Sequence, residues 1–382
     1  MKSGKNVTYL REINQKNILN IIRQGAASRS MIARKTGLTK PAVSDIVENL
    51  MDAGFVQEIG RDDITRGRRP ELLSLKKGTH YAVGVDISRS GCAVGFCDFC
   101  GEVLDAFEVD IKDLPPVLAI KKICAEINAG LSECSLDTSD MLGIGVSVPG
   151  PVTSTGEILS PPNFDAWHNF NIIDHFSKEI DTLICVEDAP ISFALAENLY
   201  GYGMDYKHYF MLEVANGVGS ALINDGIPYR GLYGLNPVFG HTSIDFNGPE
   251  CRCGGRGCLE LYASVPRMVE AARKQGIHAE TWNDIVDLAL DRDPRAIDIV
   301  KSQAKYLSIA ISNIATSFAP EAVVLSGAIQ YKPDLLLNFI RSDFFNKVTS
   351  KAMPIPKILV SELLENRLVI AACAIIHSRY FY

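Results

Sequence analysis

Nowhere in these 382 residues does an apolar run approach the length of a membrane-spanning helix. The opening segment, MKSGKNVTYL, also lacks the apolar stretch of a secretory signal. Both absences point to a cytoplasmic protein with no membrane partner. A disulfide framework is not expected either. Such frameworks belong to much shorter secreted chains, so the ten cysteines are expected to be metal ligands and buried thiols. Acidic residues are scarce in the first eighty positions, where fifteen Lys and Arg face eight Asp and Glu. That surplus of seven sits in a chain of net charge −7, so the remainder carries −14. A basic module on an acidic body suggests an anionic partner for the first part only. Hydrophobic content of 47% and charged content of 22% are ordinary for a globular chain of two or three domains.

The basic module reads as three short helices. Ile13, Ile18, Leu19 and Ile22 mark one buried face, and Gly25 breaks the run. Ser28 can cap a second helix that stops at Gly37. Thr39 can cap a third, with Pro41 in its first turn, where a missing N–H costs nothing. In that helix Val43, Ile46, Val47 and Leu50 fall at i, i+3, i+4 and i+7 and face inward. Thr39, Lys40, Ala42, Ser44 and Asp45 are then left to read DNA, as in a helix-turn-helix. Asp45 is acidic on that face. It can accept from a cytosine amine or simply face solvent. Next come FVQEIG and ELLSLKK, flanking RDDITRGRRP. This predicts a two-stranded wing whose Arg66, Arg68 and Arg69 reach phosphates or a narrow minor groove. The implied partner is double-stranded operator DNA. One such helix reads only a few base pairs, so a homodimer or higher homo-oligomer is expected.

The body repeats itself. YAVGVDISRSGCAVGFCDFCGEVLDAFEVDI reads as strand, tight loop, strand, turn, strand. A helical stretch over about 114–134, a buried strand in MLGIGVSVPG, a helix over about 171–180, the strand LICVEDA and the helix APISFALAENLYGYG follow. Then YFMLEVANGVGSALINDGIPYRG repeats the opening pattern, and EAVVLSGAI and KILVSEL supply later strands. The expectation is two mixed α/β lobes, each opening with a hairpin whose first loop sits near an acid, with a cleft between them.

One segment stands apart, GHTSIDFNGPECRCGGRGCLELY. His241, Cys251, Cys253 and Cys258 form H-x9-C-x-C-x4-C. Three thiolates and an imidazole make a closed tetrahedral zinc set with no open position for water, hence a structural metal. Cys97-x-x-Cys100 lies at a predicted turn without a second ligand pair and reads as plain thiols.

These motifs resemble the ROK family of repressors and sugar kinases, which includes the xylose, glucose and N-acetylglucosamine repressors. The resemblance covers essentially the whole chain. It implies an α/β architecture: an N-terminal winged helix-turn-helix over 1–76, then a duplicated actin-like (ribonuclease H-like) ATPase fold over 77–382. Lobe one is expected over about 77–190 plus a helix at about 366–382, and lobe two over about 191–365. In the family the four ligands above bind zinc, and the glutamate of Cys-x-Glu, here Glu260, touches the sugar. The family's Pro-Asn asparagine matches Asn163, and its catalytic aspartate matches Asp188, although Glu187 replaces the asparagine before it. Val238 stands where the family has a glutamate. The resemblance thus implies a sugar or sugar-phosphate effector near Asn163, Asp188, His241 and Glu260. For Asp188 the alternative is a solvated helix-capping acid. The phosphate loops depart from the kinase pattern. Asp86-Ile87-Ser88-Arg89-Ser90 replaces Asp-x-Gly-Gly-Thr, and Ala215-Asn216-Gly217-Val218-Gly219 keeps two glycines but loses the threonine. The expectation is a DNA-binding repressor of carbohydrate genes without kinase activity. The alternatives are a sugar kinase with an accessory DNA-binding domain and a repressor controlled by a protein partner.

Overall fold

The computed structural model describes residues 3–61, 70–88, 91–159, 164–347 and 355–382. The chain forms two compact units, Met1–Glu187 with Asn366–Tyr382, and Asp188–Glu365. The change of unit thus falls at Asp188, whereas the sequence reading put it after residue 190. The helix that Asp188 caps packs on the strands of the second unit, which draws the acid with it. Among the described residues no helix is long and apolar enough to cross a membrane.

The first unit opens with α1 (Ser3–Arg23), β1 (Ala27–Ser28), α2 (Arg29–Thr36), α3 (Lys40–Asp52), β2 (Val56–Arg61) and β3 (Glu71–Leu75). Ser28 caps α2 by accepting the Met31 N–H, and Gly37 closes it with φ of 73°. Thr39 caps α3 by accepting the Ala42 N–H. Ile18, Leu19, Ile22, Ile32, Val43, Val47 and Leu50 form the buried face that the spacing predicts. Two features differ from the sequence reading. α1 is not short; it runs 21 residues. The wing has a third strand, in the order β1-β3-β2, with Ala27 opposite Leu73. Two residues are too few to show a strand period.

The body of this unit is a five-stranded sheet. Its hairpins are β4 (Tyr81–Ile87), β5 (Cys92–Asp98) and β6 (Val103–Val109), followed by α4 (Pro116–Glu133) and β7 (Met141–Val148). β8 (Glu157–Ile158) pairs separately with β9 (Phe170–Asn171), which leads into α5 (Ile172–Phe176) and β10 (Ile184–Asp188). The sheet order is β10-β7-β4-β5-β6. α5 is only five residues, shorter than the predicted 171–180, because the amides of Glu179 and Ile180 both return to Phe176 O in a turn.

The second unit starts with α6 (Ala189–Tyr200) and repeats the plan. Its sheet runs β13-β12-β11-β14-β15, from β11 (Tyr209–Val214), β12 (Val218–Asn224), β13 (Ile227–Pro228), β14 (Ala322–Gly327) and β15 (Lys357–Val360). In both sheets the first strand pairs antiparallel with the second and parallel with the fourth. The second and third strands are also antiparallel in each. Between β13 and β14 lie α7 (Glu260–Ala263), α8 (Val265–Lys274), α9 (Trp282–Leu290) and α10 (Pro294–Phe318), a helical run that the sequence reading left unassigned. Their apolar faces build the main core of the unit with Leu212, Val323 and Leu325 of the sheet. α11 (Asp334–Lys347) follows β14.

α12 (Arg367–His377) returns to the first unit and lies in a glycine cradle. A Cβ at Gly84 would stand 2.5 Å from Val369 O, and one at Gly145 would stand 2.0 Å from Ala372 O. Small residues on the helix, Ala371, Ala372 and Ala374, complete the close approach. The chain after α12 reaches the winged helix. Phe381 stacks on Phe99 at 5.1 Å, and Tyr380 lies 5.3 Å from Phe55, the residue just before β2. From α1, Arg23 sits 5.0 Å over the Phe381 ring and donates to the Tyr382 hydroxyl at 3.1 Å. Lys16 and Asn20 donate to the backbone oxygens of Tyr382 and Phe381.

Candidate functional site

The proposed reading helix presents Thr39, Lys40 and Asp45 to solvent and half-buries Ala42 and Ser44. Asp45 is neither alone nor simply solvated. Its Oδ2 lies 3.2 Å from Nη2 of Arg11 on α1. Both side chains are largely exposed, so this pair adds little stability. It does hold an acid and a base together on the face that would meet DNA. Arg66, Arg68 and Arg69 lie outside the described residues.

The metal candidates converge. The ligand atoms of His241, Cys251, Cys253 and Cys258 all lie within 4.8 Å of one another. Cys251 Sγ is 3.6 Å from His241 Nδ1, and Cys253 Sγ is 3.6 Å from Cys258 Sγ. A tetrahedral zinc site has edges of about 3.8 Å between sulfurs and about 3.6 Å between sulfur and imidazole nitrogen. The donors therefore fit such an ion. Two backbone reversals bring them together. Gly254 adopts φ of 88°, and Gly257 adopts φ of 65° against Asp245 O, where a Cβ would approach to 1.8 Å. Burial pushes the Cys258 thiol up to about 12, while the Gly255 N–H pointing at Cys253 pulls that thiol down. A bound cation would favour the thiolate at both.

The acids singled out by resemblance are both engaged in the second unit. Asp188 ends β10 and caps α6, its Oδ1 accepting the Ile191 N–H at 3.2 Å. The capping alternative is thus correct in kind, but the acid is buried and not solvated. Asn236, which the sequence reading missed, places Nδ2 3.5 Å from the same oxygen. Glu260 opens α7 and accepts the Val218 N–H at 3.1 Å. Val238 is 60% exposed. Asn163 lies outside the described residues.

The glycines that survive in the second phosphate loop are closely packed. A Cβ at Gly217 would come within 2.6 Å of Glu260 Oε2, and one at Gly219 within 2.5 Å of Pro190 Cγ. Packing alone therefore accounts for the glycines that survive. In the first loop Arg89 and Ser90 lie outside the described residues. Asp86 is buried, with Ser147 Oγ donating to it at 2.6 Å. Burial pushes its carboxyl up to about 6, against the Ser147 bond and the charge of Arg367, which lower it. The unfolded chain titrates near 3.9. Between those values the native state holds more protons at this site, so the contribution of Asp86 to stability is fully present below about pH 4 and is lost as pH rises through 6. Asp86→Asn should remove that slope and raise stability at pH 7.5 by on the order of 3 kcal/mol. Melting curves from pH 4 to 8 measure it. An unchanged slope would mean that Asp86 is not the group responsible.

Comparison with known proteins places this geometry. A model of winged helix-turn-helix DNA-binding domains matches residues 11–57. The xylose repressor of Bacillus subtilis (strain 168) is 29% identical over 361 residues, covering 94% of this chain and 93% of that one. A glucokinase of Halalkalibacterium halodurans is also 29% identical, over 282 residues, covering 69% of this chain and 85% of its own. The crystal structure of a ROK family transcriptional regulator, a homologue of the E. coli MLC protein, superposes with a TM-score of 0.82. It has 23% identity and covers 98% of this chain and 97% of its own. The ROK family model itself matches residues 82–379, which span both duplicated sheets, the His/Cys loop and α12, and the chain belongs to the ROK family.

Proposed function

We propose that the protein is a cytoplasmic, homodimeric DNA-binding repressor of carbohydrate-utilisation genes, whose ROK domain senses a sugar or sugar derivative. The observation that carries this reading is the capped α3, with its polar face exposed, on a chain similar over 94% of its length to a xylose repressor. α3 enters the major groove of each operator half-site through Thr39, Lys40, Ala42, Ser44 and Asp45. Arg66, Arg68 and Arg69 reach the backbone or minor groove. Zinc held by His241, Cys251, Cys253 and Cys258 staples the loop that carries Glu260. Asn163, Asp188, His241 and Glu260 surround the effector. A carboxylate accepts a sugar hydroxyl without transferring phosphate, so Asp188 serves as a ligand contact.

The glucokinase relative supports a second reading, an active sugar kinase with an accessory DNA-binding domain. The departure of Asp86-Ile87-Ser88-Arg89-Ser90 from the kinase pattern and the close packing of Gly217 and Gly219 support the repressor. We expect no ATP-dependent phosphorylation of hexoses or pentoses. A coupled ADP assay showing turnover that Asp188→Asn abolishes would overturn the repressor reading.

Operator binding tests the DNA half. Removing Arg68 and Arg69 together should weaken binding to all sequences and reduce the slope of log K against log salt by about two. Changing Lys40 or Ser44 should instead alter sequence preference. Asp188→Asn should blunt the effector response and leave effector-free DNA affinity nearly unchanged. A hundredfold preference of the effector for the DNA-incompetent form corresponds to about 2.7 kcal/mol per site. A body lacking residues 1–76 that still bound operator would refute the assignment.

A further inference from the structure

Asn236 is buried around its amide and sits between two hydrogen-bond acceptors. Its Nδ2 donates to Ser220 O at 2.6 Å and to Asp188 Oδ1 at 3.5 Å. Turning the amide over would set its oxygen against both, so the network fixes its orientation. Asn236 Oδ1 is then left buried without a partner. An unsatisfied buried acceptor is a cost that an apolar residue would not carry.

The chain on either side of Asn236 has little freedom. Ser220 Oγ donates to Pro237 O at 3.0 Å and accepts the Phe239 N–H at 3.0 Å. A Cβ at Gly240 would stand 2.0 Å from Val218 O, so the loop lies flat on β12. The next residue is His241, a candidate metal ligand. After the metal loop, Glu260 returns to the Val218 N–H of the same strand. Asp188 is joined to this frame by the Asn236 bond.

We infer that Asn236 is a positioning residue: it orients the Asp188 carboxylate and ties it to the loop that carries His241. With Oδ1 facing the Ile191 and Asn236 donors, the Asp188 carboxylate is held in one orientation as an acceptor. The effect on effector binding rests on the reading of Asp188 as a sugar contact; the Asn236–Asp188 link does not.

A charge-swap cycle tests the link without any effector. Asn236→Asp sets a second carboxylate beside Asp188 and should lower the melting temperature at pH 7.5 by about 5 °C or more. Adding Asp188→Asn removes the like-charge repulsion, though not the contact of the new carboxylate with Ser220 O, and should recover part of that loss. A loss of equal size in both backgrounds, or no loss at all, overturns the positioning role. The functional half uses Asn236→Ala with D-xylose, D-glucose and N-acetyl-D-glucosamine as probes. Affinity for whichever sugar the wild type binds should fall about tenfold, with zinc content and effector-free operator affinity unchanged. Wild-type sugar affinity in Asn236→Ala overturns the effect on binding. If no probe binds the wild type, the sugar-sensing reading is what fails, and the swap cycle alone decides the link.

Discussion

Cys258→Ser is expected to take bound zinc from about one ion per chain to almost none and to lower the melting temperature by on the order of 10 °C. The size of the effect follows from what else holds the loop. Between His241 and Cys258 the chain is mostly polar or glycine; of its two large apolar side chains, Phe246 is 86% exposed and Ile244 is only partly buried against the core of the unit. The loop has almost no core of its own. Backbone bonds such as Ile244 N–H to Gly257 O and Cys251 N–H to Gly255 O close its turns but bury little apolar surface. Zinc bound by the four converging donors would offset the ordering entropy of such a segment. Cys258 is the most buried ligand, and its substitution leaves a hydroxyl where a thiolate was shared with the ion. Cys253, which is exposed, should show the smaller structural effect when changed to serine, with a similar loss of metal. Elemental analysis of protein purified under reducing conditions and a melting curve taken with and without chelator give both quantities. Full stability with no bound metal would remove the structural role.

The damage should also travel. Losing the loop frees Glu260 from Val218 N–H, and with it the frame that Asn236 shares with Asp188. Effector response should therefore fall together with metal content. DNA binding without effector should fall less, since α1, α2 and α3 carry their own buried face in the other unit.

The parts of this molecule that could be read from sequence are those whose cause is local. α3 declares itself within fourteen residues, through the Thr39 cap, Pro41 in the first turn and the i, i+3, i+4, i+7 row from Val43. The metal set is equally local, because His241 and three cysteines need only two tight glycine turns to meet. The duplicated sheets follow from hairpins joined by short turns. What escaped the sequence depends on contacts between distant positions. Asp45 and Arg11 meet because α1 packs beside α3, and nothing near either residue announces the pair. Asn236 reads as an unremarkable loop residue until β10 and β12 bring Asp188 to it. The helices between Val265 and Phe318 are amphipathic, yet they lie outside the repeated pattern that guided the rest of the reading. Nothing near Gly84 of β4 or Gly145 of β7 announces why a glycine stands there. Only the position of α12, more than two hundred residues later, shows that they are a seat for a helix.

Deleting residues 380–382, which continue from that seated helix, should release the winged helix from the body and lower affinity for a full operator at least tenfold. α12 enters the first unit at Asn366, immediately after the chain leaves the second at Glu365. It is wedged among Gly84, Gly95 and Gly145, so it moves with the sheet or not at all. Tyr380, Phe381 and Tyr382 extend it onto Phe55, Phe99 and Arg23. His80 adds to the same patch by stacking on Phe55 at 4.3 Å and bonding Ala53 O at 2.6 Å. Truncating the buried Phe381 to alanine should cost the fold about 3–5 kcal/mol, of which the Arg23 cation over its ring accounts for about 0.5–1 at the winged helix. A released winged helix still folds on its own buried face and still binds a half-site. In the proposed homodimer, two of them on loose tethers would lose the effective concentration that makes paired half-sites additive. The deletion should therefore spare binding to a single half-site, weaken binding to the full operator, and abolish the effector response, because no rigid path remains from α12 to α1. Limited proteolysis should cut near residues 76–79 in the deletion and not in the wild type. Phe381→Ala should show the same pattern at smaller amplitude. Full operator affinity with an intact effector response in the deletion would show that the winged helix takes its orientation from elsewhere.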